Sequence, residues 1–196
     1  MKKLLAVVLT MAMFCVIGGA AKPQDQDDQS DFNLISYLET HEVNNYDDFI
    51  RVIRTVSPES IDEDDPSVVT YFDIDVDYDN MIVSVLTMDE ATYDKSHGAS
   101  NSVSKSYYAS NGLKIFTIKV SGTFSYTTGS CTTLSASGSF TRAALSTWTS
   151  TPTISSGNIT TRKAYARISG TATSGASSVS YSLTLTCDDT GTFGSY

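Results

Sequence analysis

The clearest pattern along the chain is alternation. From Lys114 to Tyr126 the apolar residues Phe116, Ile118, Val120, Phe124 and Tyr126 fall at every second position, with Thr117, Lys119, Ser121, Thr123 and Ser125 between them. Period two puts these sets on opposite faces of a strand, and Gly122 on the apolar face marks a bend or a close neighbour. Val179, Tyr181, Leu183, Leu185 and Cys187 alternate with Ser180, Ser182, Thr184 and Thr186, and Ala164, Ala166 and Ile168 form a weaker set. Turn residues separate the segments at Ser156-Gly157-Asn158 and Ser174-Gly175. Amphipathic strands with Ser/Thr outer faces predict a mainly β fold, an antiparallel β-sandwich that is Ig-like or similar.

The pattern changes upstream. Tyr46, Phe49, Ile50 and Ile53 follow helical spacing, with Asn44 or Asn45 as cap, Asp47 and Asp48 in the first turn and Ser57-Pro58 as the stop. Phe32, Ile35 and Leu38 predict a shorter helix capped by Asp31. After the acidic loop 61–66, Val68 to Met88 reads as a hairpin turning at Asp79-Asn80. Its register sets Ile74, Val76, Val83 and Val85 on one face, and Asp73, Asp75 and Asp77 opposite Leu86, Ser84 and Ile82 on the other. Residues 89–112 are mostly polar and read as a linker or long loop. The organisation expected is a leader over 1–21, a disordered acidic stretch over 22–31, an acidic helix-and-hairpin segment over 32–98 and a Ser/Thr-rich β-sandwich over 99–196.

The leader follows the secretory pattern: Lys2 and Lys3, an apolar run from Leu4 to Ile17, then Gly18-Gly19-Ala20-Ala21 with cleavage after Ala20 or Ala21. The run is short for a membrane span of ~30 Å, so the expectation is a secreted, extracellular protein with no membrane anchor after cleavage. Charge follows the same division. The net −9 is made of +2 in the leader, −16 over 22–98 and +5 over 99–196. Overall acidity argues against nucleic acid as a partner, while the basic half admits anionic partners.

Cleavage removes Cys15 and leaves Cys131 and Cys187, which allow a single intrachain pairing. A disulfide is expected in an oxidising compartment; two buried free thiols are the alternative. Two isolated cysteines do not make a metal site, and no cofactor is expected.

The segments Ser104-Lys105-Ser106-Tyr107, Ser110-Asn111-Gly112, Val120 to Tyr126, Cys131, Ser156-Gly157-Asn158 and Ser182 to Cys187 resemble a pattern in small exported proteins of Gram-positive, gut-type bacteria. The likeness covers residues 104–192. It implies a leader followed by a β domain with a paired cysteine, and it implies no activity.

Candidate chemistry is sparse. Asp73, Asp75, Asp77 and Asp79 are hard oxygen donors suited to calcium, but no register supplies the glycine and glutamate of an EF-hand loop, and a charged edge that discourages strand pairing is the plainer account. There is no nucleophile elbow, and His41 and His97 lie in separate loops, so no enzyme is expected. A glycan platform is drawn from Trp148, Tyr107, Tyr108 and Tyr165, with core packing as the alternative role for Trp148. Lys105, Lys114, Lys119, Arg142, Arg162, Lys163 and Arg167 form a candidate basic face for wall polymers or mucin-type glycans, although Lys114 and Lys119 do not share a face. The expected role is an extracellular interaction module for a glycan or anionic polymer. The alternatives are a calcium-binding surface protein and a precursor whose acidic half masks the basic domain.

Overall fold

A computed structural model describes residues 32–41, 43, 46–56 and 71–196. The leader, the 22–31 stretch, the Asp31, Asn44 and Asn45 caps, Ser57-Pro58 and the 61–66 loop lie outside the described residues.

Two helices come first, α1 (Leu34–Thr40) and α2 (Tyr46–Val56). Asn33 caps α1, its side chain accepting from the N–H groups of Ile35 and Ser36. Ten strands follow: β1 (Tyr71–Asp77), β2 (Ile82–Met88), β3 (Thr92–Tyr93), β4 (Gly98–Ala109), β5 (Lys114–Thr127), β6 (Ser130–Arg142), β7 (Thr153–Thr160), β8 (Lys163–Ser174), β9 (Ser177–Asp188) and β10 (Phe193–Ser195). One sheet runs β1-β2-β4-β5-β6, with β3 beside β4; the other runs β10-β9-β8-β7. All pairs are antiparallel. The mainly β, two-sheet architecture with a small helical segment before it is the one the alternation predicts.

The two sheets bury one core between them. Phe116, Ile118, Val120 and Phe124 of β5 meet Ala164, Ala166 and Ile168 of β8 and Leu183 and Leu185 of β9. Gly122 faces this core. A Cβ there would sit 2.6 Å from the Phe124 ring and 3.2 Å from Ala166, so glycine sets how closely the sheets approach.

The hairpin register is as expected, with Asp73 opposite Leu86, Ile74 opposite Val85 and Asp75 opposite Ser84. Its turn is longer, because pairing stops at Asp77–Ile82 and Met81 takes φ +55°. Both hairpin faces pack. Ile82, Leu86 and Met88 join the inter-sheet core, while Val83 and Val85 join a second cluster with Leu34, Phe49, Ile53 and Tyr108 beneath the helices.

The linker reading of 89–112 is corrected. Residues 98–109 are a twelve-residue strand inside the larger sheet, paired to β2 and β5. Ser100, Ser102, Ser104 and Ser106 are its outer face, and Ala99, Val103 and Tyr107 are buried on the inner one. Serine at every second position is the polar face of a strand, and a serine-rich composition hides it. Position 98/99 lies inside this strand, and β2, from the acidic stretch, is hydrogen-bonded to it. The acidic segment contributes β2, which pairs along β4, and Ile82, Leu86 and Met88, which join the inter-sheet core.

Candidate functional site

The four aromatic residues taken as a ligand platform do not converge. Tyr107 and Tyr108 are consecutive in β4 and so point to opposite faces. Tyr107 is buried between the sheets, stacked on Phe116 at 4.3 Å, and burial pushes its phenol pKa up. Tyr108 is buried under the helices, edge-on to Phe49 at 5.5 Å. Trp148 is half-buried against Phe116 at 5.7 Å and packs on the core. Tyr165 alone of the four lies on the outer face of the smaller sheet.

The acidic row does not gather around one point either. Asp77 uses both carboxylate oxygens on Asn80, at 3.0 Å to its N–H and 2.8 Å to its amide, and these bonds hold its pKa below the ordinary value. Asp75 lies 3.7 Å from Lys105. Among the described residues no group of three His, Cys, Asp or Glu side chains is placed to hold a metal ion.

The seven basic residues do not make one face. Lys105 stands on the core side of β4, in register with Ile118, between Asp75 and the Tyr107 ring. Lys119 is on the outer side of the larger sheet, 3.1 Å from Asp89. Asp89 also accepts from the Ser102 hydroxyl. Asp89 borders a shallow trough of about 320 Å³ lined also by Ser121, Thr123, Ser135 and Ser137. Arg162 pairs with Asp189 at 2.7 Å.

Arg167 is arranged differently. Ala166 and Ile168 on either side of it are fully buried, so alternation turns Arg167 and Tyr165 outward together. Arg167 Nε donates to Thr184 Oγ1 at 2.9 Å, and the guanidinium carbon lies 5.4 Å from the centre of the Tyr165 ring. Thr184 is 1% exposed. Its main chain exchanges two hydrogen bonds with Tyr196, at 2.8 and 3.1 Å, which places Tyr196 (62% exposed) on the same side. In the adjacent row, Gly157 and Thr186 flank Tyr165 in register. A Cβ at Gly157 would lie 3.4 Å from the Tyr165 ring, so the ring leans over a strand with no side chain at that point.

Two further features lie at one end of the sandwich, the cysteine pair expected from the sequence and a turn design that was not read from it. Cys131 and Cys187 lie in different sheets, are fully buried, and stand no more than 3.9 Å apart as free thiols. Burial raises both thiol pKa values, that of Cys187 to about 12. Beside them, two turns repeat one design. In Asp94-Lys95-Ser96-His97-Gly98, Asp94 Oδ1 accepts from Ser96 N–H, Ser96 Oγ and Gly98 N–H, and His97 has φ +62°. In Asp188-Asp189-Thr190-Gly191-Thr192, Asp188 Oδ1 accepts from Thr190 N–H, Thr190 Oγ1 and Thr192 N–H, and Gly191 has φ +81°. The readable signal was Asp followed two residues later by Ser or Thr at the end of a strand. Tyr93 donates to the Gly191 carbonyl, and His97 stands edge-on to Tyr126 at 6.0 Å.

No family model, no curated protein and no solved structure matches the chain.

Proposed function

We propose that the chain is an exported, non-catalytic binding module that holds an extracellular glycan or anionic polymer on the outer face of its smaller sheet. The observation that carries this reading is the contrast between the two outer faces. The helices occupy part of the larger sheet, whereas the smaller sheet presents Tyr165, Arg167 and Tyr196 together. Aromatic rings and planar cations are the groups that recognise sugars and their substituents on a flat surface. The 1–21 leader supports export. The facing thiols of Cys131 and Cys187 support a disulfide joining the two sheets once the protein reaches an oxidising compartment. Binding of the full mature chain to a broad panel of extracellular polysaccharides tests the reading. Binding that Tyr165→Ala abolishes and Trp148→Ala leaves intact, in variants that remain folded, is the expected result. No binding across the panel overturns it.

A further inference from the structure

We infer that the ligand of this face is an acidic saccharide, gripped through its oxyanion by the terminal nitrogens of Arg167 while the sugar ring lies against Tyr165. The inference rests on the binding reading above and adds the chemical class of the ligand and the residue that selects it.

Three observations carry it. The first is the missing counter-charge. Lys105, Lys119 and Arg162 each lie within ion-pair distance of a carboxylate, but Arg167 makes no ion pair among the described residues, and its one hydrogen bond uses Nε. The strands β7, β8, β9 and β10 themselves hold one acid, Asp188, and Asp189 next to it is paired with Arg162. Asp188 stands at the far end of β9, opposite Lys163, with its Oδ1 occupied by the turn that follows. A half-buried cation with no carboxylate beside it among the described residues loses part of its hydration, and the contacts with Thr184 and Tyr165 leave its charge unneutralised, so the site holds a charge that an anion would neutralise.

The second observation is preorganisation. Thr184, buried beneath the sheet surface, fixes Nε, and the Tyr165 ring fixes the guanidinium plane. The rotamer entropy of a long side chain is thus already spent before a ligand arrives, and the fork of the two terminal nitrogens is the geometry that meets a two-oxygen anion. The third is the floor. Gly157 and Gly194 stand at the two ends of the Tyr165 row, with Thr186 between. Neither glycine adds a side chain to the row, so the Tyr165 ring, which leans over Gly157, is the row's one ring and the surface against which a pyranose would lie. The chain's net charge of −9 repels polyanions at long range, so attachment of an acidic polymer to this protein requires a local grip of this kind.

A carboxylate and a sulfate present the same chemistry to a guanidinium, and the test separates them. The full mature chain is titrated by calorimetry with polygalacturonate, its fully methyl-esterified form, dextran sulfate and dextran, at low and moderate salt. The expected result is binding to one or both acidic polymers, no binding to the neutral counterparts, and at least tenfold weaker binding by Arg167→Gln at an unchanged unfolding midpoint. The position of polygalacturonate relative to dextran sulfate identifies the oxyanion. Arg167→Lys keeps the charge but loses the fork and the Thr184 bond. It is expected to bind at an intermediate level, and it provides the comparison if Arg167→Gln does not fold. Equal binding of acidic and neutral polymers that Arg167→Gln leaves unchanged overturns the assignment while leaving the binding module intact. Binding of neither class of polymer, with other glycans on the panel still bound, also overturns it.

Discussion

Cys131, second in β6, and Cys187, next to last in β9, meet across the two sheets with no more than 3.9 Å between them. The two strands belong to different sheets and are not hydrogen-bonded to each other, so a bond here ties the layers at one end of the sandwich. Oxidation removes one hydrogen from each thiol and closes a loop of about 57 residues, worth on the order of 4 kcal/mol in the chain-entropy model. Protein recovered from an oxidising compartment is expected to be lighter by two hydrogens than the reduced form. Urea unfolding with and without reductant measures the increment, and Cys131→Ser or Cys187→Ser removes it. In the reduced protein both thiols are expected to resist alkylation, because they are buried and burial holds both above the ordinary thiol range.

The turn at Gly191 joins the same end of the molecule. Its φ of +81° favours glycine, and a Cβ there would lie 2.7 Å from the Tyr126 ring. Gly191→Ala is expected to cost about 1–3 kcal/mol from backbone strain, with displacement of Tyr126 in addition. Thermal unfolding gives the loss, and Gly129→Ala serves as the comparison, since its φ is also positive but nothing lies within 4 Å of the added Cβ.

Phe116 is fully buried and touches Tyr107, Phe140, Trp148 and Tyr181. Phe116→Ala is expected to cost about 3–5 kcal/mol in denaturant unfolding. Trp148 is the chain's single indole, so its fluorescence reports the same event, shifting to the red as the ring loses its neighbour. Trp148→Ala is expected to lower stability by about 2 kcal/mol, less than a full core truncation because the side chain is half-buried, and to leave ligand affinity unchanged.

Acid weakens the turn-rich end. A hydrogen bond from Arg162, and then one from the Gly129 N–H, hold the Asp189 carboxyl below its ordinary value of 3.8. The Ser96 hydroxyl and the N–H groups of Gly98 and Ser96 do the same for Asp94. A depressed folded-state pKa means that the unfolded chain takes up the proton first. The stabilisation is therefore complete above the unfolded value and is lost as pH falls through the folded one. Stability measured by urea is expected to be level in these two contributions above about pH 5 and to fall below about pH 4. Asp189→Asn is expected to flatten part of that fall.

Removal of residues 1–98 is expected to yield a chain that does not fold. Truncation takes away Ile82, Leu86 and Met88 from the core and leaves the long edge of β4 unpaired. Circular dichroism and solubility of the 99–196 chain, against the full mature chain, check this. A soluble, cooperatively folded fragment would contradict the single-sheet account.

What the sequence determined by itself was local. Period-two runs in 114–126 and 179–187 specified strands and their inward faces, because a one-residue slip would turn every apolar side chain to solvent. The 72–86 alternation specified the hairpin register down to Asp75 opposite Ser84. The helical spacing of Phe49 and Ile53 specified the face that α2 buries. Tertiary structure decided what those faces met. Serine at every second position in 98–109 reads as loop by composition, and pairing with β2 and β5 makes it a strand. Tyr107 and Tyr108 are equal as aromatics in the sequence, yet the pleat sends them into two separate cores. The fold sets Lys105, Lys119 and Arg162 beside carboxylates and sets Arg167 on Tyr165 and Thr184, with no ion pair among the described residues. That difference depends on residues 17 positions apart along the chain coming into register, and no local pattern encodes it.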